Sequence, residues 1–385
     1  MKIIVMENIK KLCAVALFIS LSNAYAKGST SNTAGEFHPV DSNRIPEILT
    51  LIPSKVQSNY ERIKTWQGKV DSVIDYLYEG ASVERVFKED TNGTGEIPKA
   101  LRDRRQPTTE FALYVEKDLL YVNTYSKKPI EYTDLERGKS FEAKEGRIPG
   151  SGTSVVTPEY YIYSKPHTMR DGVVMSRVAL KELHQKNCST CKTPSAFDPR
   201  ELFDLPQQPV WKTLPKILKE IRERGEYKTD GYILKVEERT KEGITQYRIT
   251  VPGKTTLTPD KSRPGDYLFV SSTFSSDKGF NIILKETTTN GDKLFQRHTW
   301  DYILIDGIYI PTKTTKQNYS LKTGSLVFEK TSVFKDVKIN KPISREVFSY
   351  KNLGLKNGDK FVDKIEGKEY TYQDANLVPD TNLGK

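Results

Sequence analysis

From Lys228 to Tyr350 apolar and polar positions alternate in short runs, the period of half-buried antiparallel strands. Tyr232, Leu234 and Val236 alternate with Ile233, Lys235 and Glu237. Tyr247, Ile249 and Val251 alternate with Arg248 and Thr250, and Phe280, Ile282 and Leu284 with Asn281 and Lys285. The residues between the runs are turn formers: Lys241-Glu242-Gly243, Ser276-Asp277-Lys278-Gly279, Asn290-Gly291-Asp292, Asp306-Gly307 and Lys322-Thr323-Gly324. Glycine supplies positive φ and Asp, Asn or Ser caps its own backbone where the chain reverses.

Upstream the period changes. Ile48, Leu49, Ile52, Val56, Tyr60 and Ile63 recur at spacings of three and four behind Pro46, which predicts a helix over 45–63 with one apolar stripe. Pro53 sits inside it, so one kinked helix and two short ones both remain open. Trp66, Val70, Ile74, Tyr76 and Tyr78 then fall on one side of a long extended run, with Gln67, Lys69, Asp71 and Asp75 on the other. Strands are expected at 85–88, 109–116 and 119–125, the last two joined by the two-residue turn Lys117-Asp118. Residues 126–210 break the rhythm with many prolines and the stretch Pro149-Gly150-Ser151-Gly152, and read as an insertion with one helix near 178–185. Leu214, Ile217, Leu218 and Ile221 mark a second amphipathic helix over 211–224.

These elements predict an α+β, mostly antiparallel β fold: a strongly curved sheet over 44–360 whose hollow is covered by helices, with a long helix and loop insertion at 126–210 and a tail at 361–385. A curved sheet presents an inner face too wide for its own side chains to fill. The expected cavity lining is Trp66, Ile74, Tyr76, Phe111 and Leu113, with Tyr232, Leu234, Phe280, Ile282, Trp300 and Tyr302 beside them. Packing of the same residues against the helices is the competing expectation.

The N-terminus fixes the expected compartment. Lys10 and Lys11 precede an apolar run from Leu12 to Leu21, and Ala24-Tyr25-Ala26 is a small-x-small cleavage site, so residues 1–26 read as a secretory signal peptide cut after Ala26, followed by a flexible leader over 27–43. A periplasmic location follows. The whole chain carries 60 basic and 50 acidic residues. Without Lys2, Lys10, Lys11 and Glu7 that leaves 57 against 49, a charge of +8. The basic residues are interleaved with acids, as in Arg222-Glu223-Arg224-Gly225-Glu226, so no nucleic-acid stripe forms, while an anionic envelope surface stays open as a partner.

Chemistry is sparse. Cys188 and Cys191 are expected to pair as a small disulfide loop in an exported protein, with a zinc site built on His184, Cys188 and Cys191 the weaker alternative. Gly152-Thr153-Ser154 lacks the second glycine of a nucleophile elbow, because Val156 stands there. Glu237 and Glu238 are adjacent on a strand and point to opposite faces. No catalytic residue, cofactor or resident metal is expected.

One resemblance adds to this. A signal peptide, a covering helix, a long strand opening with Thr65-Trp66-Gln67-Gly68, a helix-bearing excursion and a closing meander resemble the periplasmic lipoprotein-carrier superfamily of LolA and LolB type proteins. The closing block is similar in detail: Trp300-Asp301-Tyr302, then Ile305-Asp306-Gly307-Ile308-Tyr309-Ile310-Pro311, then Phe348-Ser349-Tyr350 and Leu353-Gly354-Leu355-Lys356-Asn357-Gly358-Asp359. The resemblance implies an unclosed β-barrel (half-barrel) wrapped on a helical lid, with an apolar cavity for acyl chains or a lipidated protein, no cofactor and no reaction. The alternative from another class is an exported structural or interaction module with a fully packed sheet, whose partners would be envelope proteins.

Overall fold

The computed structural model describes residues 35–380 apart from 91–95, 127, 143–151, 169–173, 184–198, 200–203, 206–207, 230–231, 254–267 and 290–292. The signal peptide, most of the leader, His184, Cys188 and Cys191 lie outside the described residues. Three helices are described: α1 (Ile45–Tyr60), α2 (Ala81–Asp90) and α3 (Val210–Arg224). The longer strands of the first half are β1 (Thr65–Glu79), β2 (Ala100–Arg105), β3 (Pro107–Tyr114), β4 (Leu119–Ser126), β5 (Glu131–Asp134), β6 (Ser140–Glu142), β7 (Gly152–Val156), β8 (Tyr160–Thr168) and β9 (Val174–Leu183). The meander is β10 (Lys235–Lys241), β11 (Ile244–Gly253), β12 (Leu268–Ser275), β13 (Asn281–Thr289), β14 (Lys293–Ile305), β15 (Ile308–Tyr319) and β16 (Leu326–Ile339), and the chain ends in β17 (Lys360–Asp363), β18 (Lys368–Gln373) and β19 (Asn376–Pro379).

With the short strand His38–Pro39 these make one 20-stranded sheet. β10 to β16 each pair antiparallel with the next in chain order, and β16 pairs antiparallel with β1. The other edge of β1 is shared: Thr65–Asp71 pairs with β3 and Ile74–Glu79 with β2. From β3 the sheet continues through β4, β7, β8 and β9 to β17, the one parallel pairing among those described, while β2 leads to β5 and β6. The ends, His38–Pro39 on β10 and β19 on β18, do not meet, so the curved sheet is unclosed. This is the expected fold class. Two tight turns are as read: Glu242-Gly243 (φ 53° and 78°) and Asp306-Gly307 (φ 49° and 77°) both hold the left-handed pair that a two-residue hairpin needs.

Several local expectations fail for physical reasons. Residues 126–210 are in large part sheet, β5 to β9, and 178–183 is strand, because Val178 and Leu180 alternate with Ala179 and Lys181 and find β17 and β8 on either side. Residues 85–88 lie in α2, whose Val83 and Val86 pack on Leu101, Ile130 and Tyr132 while buried Phe87 meets the Phe141 ring edge to face at 5.6 Å. The expected tail is β17 to β19 as far as Pro379, and Phe361 packs with Phe348, Leu353 and Leu355 over Ala112, Val155 and Ala179. Part of the leader is also built in, since Val40 is buried and its N–H donates to the Val236 carbonyl at 2.9 Å. The β3–β4 connection is a 3-10 turn over Val115–Lys117 closed by Asp118 at φ 49°, longer than a two-residue loop.

One face of the meander carries the helices. Ile48, Leu49, Ile52 and Val56 of α1 and Leu214, Ile217 and Leu218 of α3 pack with Leu234, Val236, Tyr247, Ile249, Phe274, Ile282 and Trp300. α1 is a single helix with Pro53 inside it. Its far end is tied to the sheet by buried Asn59, whose Nδ2 donates to the Tyr309 carbonyl at 3.0 Å and whose Oδ1 accepts from the Tyr309 N–H at 2.8 Å. An amide side chain here reproduces a strand neighbour. Just beyond, Asn340 Oδ1 accepts from the Lys64 N–H at 2.7 Å while its Nδ2 donates to the Arg62 carbonyl at 2.8 Å, which fixes the passage from helix to β1. Replacing Asn59 by Ala strands two backbone groups in a dry place. It is expected to cost about 2 kcal/mol, read as a lowered urea midpoint with an unchanged m-value; an unmoved midpoint means the clamp does not hold the helix.

Candidate functional site

The sequence-predicted lining residues whose side chains are described all reach the helix-bearing face, but packing divides them. Trp66, Phe111 and Leu113 lie in a closed cluster with Ile63, Val70, Ile308, Ile310 and Phe334, where the Trp66 and Phe111 rings meet edge to face at 5.6 Å. Leu234, Ile282 and Trp300 are buried under α1 and α3, with Phe280 and Tyr302 packed against them. Phe280 sits in the turn before β13 at φ 60° and stacks on Tyr247 at 6.1 Å, outside the alternation read for it. The Tyr302 hydroxyl donates to the Ile282 carbonyl at 2.9 Å, and burial pushes its ionisation up. Tyr232 is in the short strand Tyr232–Ile233, paired with Lys228–Thr229. Ile74 and Tyr76 are half-buried as Phe280 and Tyr302 are, but of the expected residues whose side chains are described they alone belong to none of the packed clusters.

Ile74 and Tyr76 stand where the helices stop. α1 and α3 cover the meander end of the inner face, and α2 covers Leu101, directly opposite Tyr78. Between them lies a half-buried stretch whose apolar part is Ile74, Tyr76 and Phe328, with the Tyr76 and Phe328 rings 5.1 Å apart. Cross-strand partners share a face, so the pairing can be followed sideways. Val236 and Ile249, under the helices, lead to Ser272, then to Lys285, His298, Lys316 and Lys330 on four successive strands, then to Ile74 and Arg105. Adjacent strands are about 4.8 Å apart, so the four basic residues span about 14 Å.

The alternation read from sequence puts Lys285 on the outside. A one-residue irregularity reverses it: Thr273 pairs with Leu284 but Phe274 pairs with Ile282, so Ile283 is the extra residue of a bulge. Beyond it Lys285, Thr287 and Thr289 turn inward and are buried, and Lys285 is only 7% exposed. Burial, with Lys316 nearby, pushes the Lys285 ammonium down to about 8. Burial and then Lys316 also lower Lys330. Burial, followed by Lys316, Lys285 and Lys330, pushes the His298 imidazole down to about 3, so it is neutral near pH 7. Arg105, at the end of the row, is paired with buried Asp103 at 2.5 Å; among the described residues Lys285, Lys316 and Lys330 have no carboxylate.

Other features of the chain are accounted for locally. Glu237 holds Arg248 at 2.7 Å and Glu238 holds Arg44 at 2.5 Å, so the two acids serve separate ion pairs. Gly152-Thr153-Ser154 is plain strand in β7. Among the described residues no group of three His, Cys, Asp or Glu side chains is placed to hold a metal ion. A groove of about 380 Å³ runs between α1 and α3, with buried Leu49, Pro53 and Leu218 below and Thr50, Ser54, Gln57, Ser58, Glu61 and Pro215 along it.

No protein-family model matches the chain, and no curated protein matches it. Solved structures do resemble it. A DUF1329 family protein from Desulfovibrio piger is 10% identical over 80% of this chain and 98% of its own, with a TM-score of 0.32. A LolA superfamily protein from Nitrosomonas europaea is 10% identical over 79% and 99%, with a TM-score of 0.31. An outer membrane lipoprotein-sorting protein domain from Vibrio parahaemolyticus is 8% identical over 78% and 97%, with a TM-score of 0.28. Two of the three carry the names of the superfamily that the sequence resembles. Scores this low leave function to the chain's own geometry.

The buried cation has a measurable consequence. Above pH 10.5 Lys285 is neutral in both folded and unfolded chains; as pH falls the unfolded chain takes up its proton first, and the folded protein follows only near pH 8. The unfavourable contribution is therefore complete below pH 8 and gone above pH 10.5. The charged group facing Lys285 is Lys316, and its cross-strand neighbour His298 stays neutral throughout that window. Lys285→Met is expected to stabilise the protein by about 2–3 kcal/mol at pH 7, a gain that shrinks steadily from pH 8 to 10.5. Paired denaturation curves across that range test it, and a pH-independent difference contradicts it.

Proposed function

We propose that this chain is a non-enzymatic exported carrier that binds an acyl-chain amphiphile, free or attached to a protein, on the inner face of its curved sheet. The observation that supports it best is the half-buried stretch at Ile74, Tyr76 and Phe328, framed by helices on both sides and belonging to no packed core. Apolar side chains left part-covered on a concave surface gain when an acyl chain displaces water from them, at about 25 cal/mol for each Å² removed from water. Three acids that acid–base chemistry could have used, Glu237, Glu238 and Asp103, are each held by an arginine. The cleavable leader read over residues 1–26 supports export.

The competing interaction module keeps some support from Leu234, Ile282, Trp300, Trp66, Phe111 and Leu113, whose places are already filled by the helices and by one another. Native mass spectrometry of gently purified mature protein, followed by organic extraction, separates the two readings. The expected result is a co-purifying acyl-chain ligand that is lost in Ile74→Asp, with affinity for a fluorescent fatty acid lowered by about tenfold or more because a carboxylate then faces the chain. Ile74 is outside the packed clusters, so the variant is expected to fold. A clean apo mass with no probe uptake leaves the packed module standing.

A further inference from the structure

Lys285, Lys316 and Lys330 form a costly arrangement, two of them lowered in pKa by burial and by the third. Lys316 lies directly opposite Lys330, and Lys285 lies two strands away across His298. Like charges directly opposite on one sheet face repel, and burial adds a desolvation cost that only a counter-charge removes. Several lysines elsewhere do have one: Lys181 with Asp363 at 2.7 Å, Lys335 with Asp71 at 2.6 Å, Lys364 with Glu182 at 2.5 Å. Simple snorkelling to solvent accounts poorly for Lys285, which is 7% exposed.

A second, independent observation lies beside the row. Trp300 is 5% exposed, its ring lies 3.8 Å from the His298 ring, and its indole N–H has no acceptor among the described residues. An indole N–H and an ammonium only donate. The unsatisfied groups collected here therefore share one complement, an acceptor carrying negative charge, and charge-assisted bonds of that kind are the strong ones.

We infer that Lys285, Lys316 and Lys330, with the Trp300 indole N–H, bind an oxyanion of the phosphate class on the inner face of the sheet. Resting on the carrier reading above, this oxyanion is the headgroup of the amphiphile whose chain lies along Ile74, Tyr76 and Phe328. The register supports that direction: Lys330 is directly opposite Ile74, and Phe328, two residues along the same strand, is opposite Tyr76. The cationic row thus ends where the apolar stretch begins, which suits a molecule with one charged end. His298 is neutral and acts as a spacer that stacks on Trp300, its role being to keep the ammonium groups apart.

The test uses delipidated mature protein and three probes: a lysophosphatidic acid, the monoacylglycerol with the same chain and no phosphate, and inorganic phosphate. Calorimetric titration is run on wild type, Lys316→Gln and Lys285→Met, with thermal melts as the folding control. The expected result is that the lysophosphatidic acid binds wild type about tenfold more tightly than the monoacylglycerol, that added salt narrows the gap, and that each substitution closes it to about twofold without lowering the melting temperature. Equal binding of both lipids by wild type and variants overturns the oxyanion site and leaves the carrier reading intact. Binding of inorganic phosphate as tight as that of the lysophosphatidic acid, lost in the variants, with no monoacylglycerol binding, keeps the site and overturns the carrier reading. Binding of none of the three overturns both. Should Lys316→Gln not fold, Lys285→Met and Lys330→Gln decide the matter.

Discussion

Everything in this molecule depends on how one long strand is shared. β1 hands its first half to β3 and its second half to β2, while its other edge is held by β16 along almost its whole length. The split makes the sheet diverge, so that one branch runs toward β9 and the C-terminal strands and the other toward β5 and β6. Gly68 marks a close approach of backbone to backbone: a Cβ there would come within 3.1 Å of the Lys335 carbonyl oxygen, at the irregularity between Gln67 and Lys69. A diverging, twisted sheet cannot cover its own inner face. The helices are the remedy, α1 and α3 at one end and α2 at the other, and the functional question reduces to what they leave uncovered.

The uncovered stretch is where stability has been given up. Under the helices the inner face is built for packing, as the run from Val236 and Ile249 to Trp300 shows. A few strands further along the same row the residues are lysines that repel one another. A wholly structural sheet has no use for that arrangement, since apolar residues of similar length cover the same surface without the desolvation cost. Strongly perturbed ionisable groups clustered on a concave surface are the usual mark of a site. Here the cluster, the unsatisfied indole and the half-buried aromatic pair converge on one region from separate kinds of observation.

Much of the architecture was legible because it rests on periodicity. The stripe at Ile48, Leu49, Ile52 and Val56 gave α1, and Leu214, Ile217 and Leu218 gave α3, both packed as their spacing requires. Pro53 did not divide α1, whose apolar stripe is held on the sheet both before and after it. The alternation over Trp66 to Tyr78 gave β1, and the Asp306-Gly307 turn needed only its two residue types. Tertiary context overrode the rest. Ala179 and Leu180 took strand geometry because β8 and β17 offered hydrogen bonds on both edges, and residues 361–379 became sheet through a parallel pairing about 180 residues distant in sequence. Of the expected lining residues, Leu234, Ile282 and Trp300 are packed under the helices and Trp66, Phe111 and Leu113 against one another, the competing expectation for them, because alternation assigns a face and not what fills it.

The lysine row was illegible for a more specific reason. Alternation assigns faces only while every residue is paired one to one, and a single unpaired residue exchanges the faces for the remainder of the strand. Ile283 is that residue in β13, and it is apolar, so nothing in composition announces it. Before it Ile282 is the buried residue, packed with the helices; after it Lys285 is the buried one, where strict alternation places Leu284. A sheet selected only for packing would have Leu284 inward and Lys285 in solvent, an outcome one deleted residue away. That the strand instead keeps the bulge, and with it a buried ammonium beside Lys316, is the reason to regard the inward lysines as selected for something that binds them.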